Sequence, residues 1–169
     1  NTPLEETFEE LSQLKEEGKF YHLGVSNFSA WQVMKAQGVA MRHGFPLVEL
    51  LQPMYNLVKR QAEVEILPMC EANGITVATY SPLCGGLLTG KYLRSERGRL
   101  VEDSRYTLRY EPSFMRDCAK NSAIWQTHCG KTRQHLPSLW CMRIPRNPCQ
   151  SSLPLALINL SHQYRRLLM

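Results

Sequence analysis

Polar side chains recur in three short clusters of the first half of the chain: Ser26-Asn27, Gln52 with Tyr55-Asn56, and Tyr80-Ser81. Each has a purely local use. Ser and Asn after an apolar run make turns or cap the next helix. Gln52 within a strand can be a hydrogen-bonded core amide, and Tyr80-Ser81-Pro82 can be a strand end followed by a proline turn. Their shared position, each at the carboxyl end of an apolar run, is what makes them candidates for a site. Metal chemistry finds less support. None of the six cysteines (Cys70, Cys84, Cys118, Cys129, Cys141, Cys149) forms a C-x-x-C pair, and no His pair has zinc-ligand spacing. Free intracellular thiols are the simplest reading, with no metal and no disulfide framework.

The elements that position these clusters can be read from periodicity. Leu4, Phe8, Leu11 and Leu14 fall on one face at helical spacing. Thr2-Pro3-Leu4-Glu5 reads as a capping box with Pro3 at the first helical position, and Gly18 as the stop. A strand follows from Tyr21 to Val25. Ser29 with Gln32 opens a second helix that closes at His43-Gly44, with Trp31 and Met34 read as packing residues and His22 as a core or rim histidine. A second strand runs from Val48 to about Tyr55. A third helix spans about Ala62 to Ala72, with a kink or a late start at Pro68, and the third strand is Ile75 to Tyr80. Strands beginning near residues 21, 48 and 75 with helices between them predict right-handed βαβ units and a parallel sheet. The doubly wound sheet and the (β/α)₈ barrel both fit. The absence of a G-x-G-x-x-G after any strand weakens the former, and in a barrel the chemistry sits at the carboxyl ends of the strands.

Composition divides the chain. Of its 169 residues, 1–92 carry 7 basic and 10 acidic side chains, whereas 93–169 carry 13 basic and 5 acidic. No Asp or Glu follows Asp117, and nine of the ten glycines precede residue 99. The expected organisation is a folded region over 1–92 and, over 93–169, a loop and an irregular basic C-terminal tail. No apolar run is long enough to span a bilayer, and no secretory leader is evident, so the expected location is cytoplasmic. The tail's 7 basic residues from position 118 onward and its two tryptophans, Trp125 and Trp140, allow electrostatic contact with nucleic acid. No recognition module accompanies them, and no nucleic-acid or membrane partner is expected.

Three segments, in order and suitably separated, resemble the aldo-keto reductases: Leu23-Gly24-Val25-Ser26-Asn27-Phe28 behind Gly18-Lys19, Gln52-Pro53-Met54-Tyr55-Asn56-Leu57, and Tyr80-Ser81-Pro82-Leu83-Cys84-Gly85-Gly86-Leu87-Leu88-Thr89-Gly90-Lys91-Tyr92. The resemblance covers about residues 1–92. It points to the long-loop branch of bacterial reductases, aflatoxin-aldehyde reductases and potassium-channel β subunits. It implies an α/β fold, a partial (β/α)₈ TIM barrel supplying strands five to seven of eight, and NADP(H) bound without a Rossmann domain. Ser26 and Asn27 would bond the nicotinamide carboxamide and Gln52 its other edge, an amide side chain offering donor and acceptor together. Tyr80 would stack on the ring. Ser81, Pro82, Leu83, Cys84 and Gly85 would wrap the pyrophosphate, with Lys91 adding positive charge. Cys84 is read as a passive small residue.

The same resemblance implies a catalytic tetrad of Asp, Tyr, Lys and His in the first four strand regions, all before the position matching Asn1. No catalytic residue is therefore assigned within this chain, although the intact family reduces small carbonyl substrates. The expectation is a fragment of an NADPH-dependent reductase of aldehydes or ketones, the alternative being a catalytically inert, cofactor-binding or regulatory remnant of an aldo-keto reductase. One sheet edge should face a missing strand four and the other a missing strand eight. Ser151 to Gln163 back-translated in another frame suggests a frameshift between Tyr92 and Lys131, which reading the DNA in three frames tests.

Overall fold

The computed structural model describes residues 2–94, 98–102, 107–108, 110, 113–128 and 155–159. Expectations for the remaining tail, including Cys129, Cys141, Cys149 and Trp140, lie outside the described residues. The chain divides into two compact units. One comprises Asn1–Pro53, Gln61–Thr79 and Arg146–Met169; the other comprises Met54–Arg60 and Tyr80–Pro145. Neither unit is contiguous in sequence, whereas composition alone suggests a break near residue 92.

The first unit alternates helix and strand: α1 (Leu4–Glu16), β1 (His22–Ser26), α2 (Ala30–His43), β2 (Val48–Gln52), α3 (Ile66–Ala72) and β3 (Thr76–Val77). β1 pairs parallel with β2, and β2 parallel with β3. The expected parallel α/β arrangement is therefore present. Leu23 and Val25 point to one face of β1 and are fully buried with Phe8, Val33, Ala36 and Leu51. Each such side chain contributes about 1.5–3 kcal/mol on leaving water. Glu49 is skipped in the register between β1 and β2, a bulge that turns its carboxylate to His22, Nδ1 to Oε2 at 2.5 Å. His22 is thus a partly exposed rim histidine.

Local signals explain most of the boundaries. Gly18 takes φ +71°, and the Lys19 N–H reaches the Leu14 carbonyl while the Gly18 N–H reaches Lys15, a Schellman closure of α1. Gln32 Oε1 accepts from the Ser29 N–H at 2.9 Å, fixing the start of α2. α3 starts late, placing Pro68 in its first turn where a missing N–H costs no helical bond.

Several expectations need correction. α1 is capped at Pro3 without a side-chain bond, not at Thr2. β2 ends at Gln52 because Pro53 cannot donate to a ladder, and β3 is only two residues long. Trp31 and Met34, expected to pack, are 64% and 38% exposed, because Val33, Ala36, Val39 and Ala40 form the buried stripe of α2. The tail is not irregular throughout. It holds a helical turn, α4 (Arg99–Glu102), a 16-residue helix, α5 (Ser113–His128), and a strand, β4 (Leu155–Asn159). β4 pairs parallel with β1, giving the order β3-β2-β1-β4, so the β1 edge expected to be bare is covered.

The second unit has its own core of Val58, Cys84, Leu87, Leu88, Tyr110, Met115 and Ala119. Met115 and Ala119, one turn apart on α5, supply the helix side of that core.

Candidate functional site

Within the first unit, the carboxyl ends of β1 and β2 lie side by side, with Ser26 in register with Gln52. Ser26 is 2% exposed, and its hydroxyl donates to the Gln52 carbonyl at 3.0 Å. That commits its proton and leaves only lone pairs for a ligand amide. Among the described residues the Gln52 side-chain amide has no hydrogen-bond partner, so both its donor and its acceptor remain open. Asn27 follows with φ +59°. Asn tolerates the left-handed region better than other non-glycine residues, and left-handed non-glycine positions gather at binding and catalytic sites.

Within the second unit, Tyr80 follows the third strand region and bridges Met54, its carbonyl accepting from the Tyr55 N–H at 3.3 Å. Ser81 and Cys84 repeat the feature seen at Asn27, with φ +59° and +54°. Ser81, Pro82, Leu83, Cys84 and Gly85 form the first part of a tight turn that ends at Gly90. Several of its amides are used internally: the Cys84 N–H bonds the Ser81 carbonyl at 3.1 Å, the Gly86 and Leu88 N–H groups bond the Leu83 carbonyl at 2.9 and 3.3 Å, and the Gly90 N–H bonds Leu87 at 3.2 Å. The turn is also tied from outside. The Tyr92 hydroxyl donates to the Gly85 carbonyl at 2.8 Å and accepts from the Leu100 N–H at 3.2 Å.

Lys91 lies against this turn. Its Nζ sits 4.9 Å from the centre of the Tyr92 ring, a cation–π distance. A Cβ on Gly86 would fall 2.6 Å from Lys91 Cε, and one on Gly98 would fall 2.2 Å from Nζ. Bare glycines at both positions are what let the ammonium group lie here. It has no carboxylate partner among the described residues. An anion is the partner that this cation and the glycine turn together fit.

Two side chains have structural roles that the sequence does not assign: Asn56, which belongs to one of the polar clusters, and Gln37. Asn56, fully buried, donates from Nδ2 to the Ser81 carbonyl at 3.0 Å while its Oδ1 accepts from the Val58 and Lys59 N–H groups at 3.2 and 2.8 Å. Every polar atom of this amide is used, and it ties the segment after Met54 to the Ser81 turn. Its neighbourhood in the Gln-Pro-Met-Tyr-Asn motif was the only available signal. Gln37 on α2, 5% exposed, clasps the first residue of β2, Nε2 to the Val48 carbonyl at 3.0 Å and Oε1 from the Val48 N–H at 2.9 Å. Nothing in the sequence marks a glutamine on an apolar helix face for that role.

The cysteines among the described residues are reduced. Cys70 and Cys84 are buried and Cys118 is exposed. Burial pushes the Cys70 thiol up to about 11.

A parallel strand–helix repeat of this kind is the plan of the α/β folds, in which ligand sites gather at the carboxyl edge of the sheet. The model of the aldo/keto reductase family matches residues 1–146, and the chain belongs to that family. The family implies a (β/α)₈ barrel. The match extends beyond the residues 1–92 that carry the quoted motifs. Similar proteins include aflatoxin B1 aldehyde reductase member 2 of Rattus norvegicus, 39% identical over 105 residues, covering 62% of this chain and 29% of that protein. The human aldo-keto reductase family 7 member A3 is 44% identical over 92 residues, 54% of this chain and 28% of its own. A probable voltage-gated potassium channel subunit beta of Arabidopsis thaliana is 40% identical over 111 residues, 64% and 32% respectively. The chain thus spans roughly a quarter to a third of the curated relatives it matches.

Proposed function

We propose that this chain carries the cofactor-holding part of a cytoplasmic NADP(H)-dependent oxidoreductase that reduces aldehydes or ketones to alcohols, in the form of strands five to seven of a (β/α)₈ barrel. The observation that carries the reading is Lys91, an ammonium group without a carboxylate partner among the described residues, lying against the Gly85-Gly86 turn. Family membership and similarity to proteins named as aldehyde reductases support the class of reaction.

When bound, NADPH supplies a hydride to a carbonyl carbon. The residues of this chain prepare for that step without carrying it out. Gln52 offers an open amide that can both donate to and accept from a carboxamide. Ser26 accepts through its free lone pairs, its proton being held by the Gln52 carbonyl. Tyr80 presents a ring for stacking. Ser81, held in its left-handed conformation by Asn56, starts the turn that receives phosphate, and Lys91 balances phosphate charge. None of these is placed as a proton donor to the carbonyl oxygen, so the chain alone is proposed to bind without turnover.

The test combines binding and turnover on the folded chain. NADPH is titrated while nicotinamide fluorescence is followed, and an aldehyde is then added. Saturable binding with no loss of reduced nicotinamide is expected. Absence of binding would overturn the cofactor reading, and turnover would overturn the assignment of an inert, cofactor-holding role.

A further inference from the structure

The carboxyl end of the sheet extends beyond the two strands that carry Ser26 and Gln52. β4 lies on the other side of β1, parallel to it, with His22 paired to Leu155, Gly24 to Leu157 and Ser26 to Asn159. Ser26 is also paired to Gln52 on β2. Asn159 is the last residue of β4, as Ser26 is of β1 and Gln52 of β2. The three strands belong to one compact unit and end level, so their last residues form a single row, Gln52–Ser26–Asn159.

This row lies on the face of the sheet turned away from the helices. Leu23, Val25, Val48 and Leu51 pack with Phe8 and Val33 in the helix-side core. Alternation along β1 puts Gly24 and Ser26 on the opposite face, and the register puts Leu50 and Gln52 beside them, both only half-buried.

The row has a definite hydrogen-bonding character. Ser26 offers only lone pairs, because its proton goes to the Gln52 carbonyl. Gln52 brings an amide without a partner among the described residues. Asn159 places a second amide-bearing residue on the far side of Ser26. β2 and β4 flank β1, so their backbones stand about 9–10 Å apart at this level. That separation brackets a gap over Ser26 that one small planar group fills. A primary carboxamide has two N–H donors and an oxygen with two lone pairs. It can give one N–H to Ser26 and share the rest of its bonds between the amides on either side. A carboxylate has no donor and would leave the Ser26 lone pairs unmatched.

We propose that Asn159 is a further ligand-binding residue, completing with Ser26 and Gln52 a three-strand site for a primary carboxamide, the nicotinamide end of the cofactor. The identity of the ligand rests on the cofactor reading, and the choice of residue rests on the register of β4. The C-terminal segment thereby takes part in the site, a role its composition does not announce.

Nuclear magnetic resonance of the nitrogen-15-labelled full chain tests the proposal. The side-chain NH2 signals of Asn159 are identified by their loss in Asn159→Leu, and those of Gln52 by their loss in Gln52→Leu. Nicotinamide alone is expected to move both pairs together to saturation. Asn159→Leu should raise the dissociation constant of NADPH roughly two- to tenfold, the range for one hydrogen bond. It should leave the binding of 2′-phospho-ADP-ribose unchanged, because that molecule keeps the phosphates and lacks the carboxamide. A purely structural role at the sheet edge would weaken both ligands alike, and that result overturns the proposal. An Asn159 amide that stays still while that of Gln52 moves overturns it too. Failure of the wild type to bind NADPH would strike the cofactor reading by itself. The nicotinamide shifts then still decide the present proposal: joint movement of the two amides supports the carboxamide site, and no movement removes it.

Discussion

The Nδ2 of Asn56 donates to the carbonyl of Ser81 across 3.0 Å, joining two segments 25 residues apart. The same amide accepts from Val58 and Lys59. Asn56→Asp keeps the two acceptor bonds but turns the donor into a carboxylate aimed at a carbonyl. The expected result is a loosened Ser81 turn, a loss of about 1–3 kcal/mol, and weaker NADPH binding. Asn56→Leu removes all three bonds and should cost more. Denaturant unfolding of the three proteins orders them, and equal stability of Asn56→Asp and wild type would contradict the role.

Ser81 itself is a backbone prediction. At φ +59°, glycine relieves the steric cost and valine cannot adopt the conformation without strain. Ser81→Gly is expected to be within about 0.5 kcal/mol of wild type or more stable. Ser81→Val should lose roughly 1–2 kcal/mol or more. Thermal unfolding checks the ordering, which a purely side-chain role for Ser81 would reverse.

Gln37 joins α2 to β2 through both atoms of its amide. Gln37→Leu fills the same volume but leaves the Val48 N–H without its acceptor in a site 2% exposed. A loss of about 1–3 kcal/mol follows. Hydrogen exchange at the Val48 amide should accelerate well beyond that of neighbouring strand amides, and an unchanged rate would show that the clasp contributes nothing.

Thiol chemistry separates Cys118 from Cys70. Cys118 is exposed on α5 and should be alkylated in the native protein. Cys70 is 1% exposed and its thiol is pushed up to about 11 from 9.0, so it should react only after unfolding. The raised value has a sign. Below pH 9 the thiol is neutral in both states and costs nothing. As pH rises from 9 toward 11 the unfolded chain ionises first, so stability falls across that window. Peptide mapping after brief alkylation at neutral pH checks the first point, and unfolding across pH 8 to 11 with and without Cys70→Ala checks the second.

How far the sequence carries the fold depends on whether each determinant is local. Gly18, the Ser29–Gln32 pair and Pro68 each act within one helical turn, and each reads correctly from its neighbours. The parallel repeat is legible because it recurs. Trp31 and Met34 mislead because apolar residues at helical spacing look alike whether they face the core or solvent. The Asn56–Ser81 and Gln37–Val48 bonds join residues far apart in sequence, and pairing of that kind leaves no local pattern. The left-handed φ values of Asn27 and Ser81 are backbone features that the residue types alone do not announce. β4 lies in a segment without acidic residues or clear alternation, and its place beside β1 comes from the unfilled edge it pairs with rather than from its own signature.

The most direct test of the central claim is calorimetric titration of NADPH into the wild-type chain, Lys91→Met and Gln52→Leu. The account predicts binding by the wild type, a roughly tenfold loss with weakened salt dependence for Lys91→Met, and a loss without change in salt dependence for Gln52→Leu. Equal affinity and equal salt dependence in all three would contradict it.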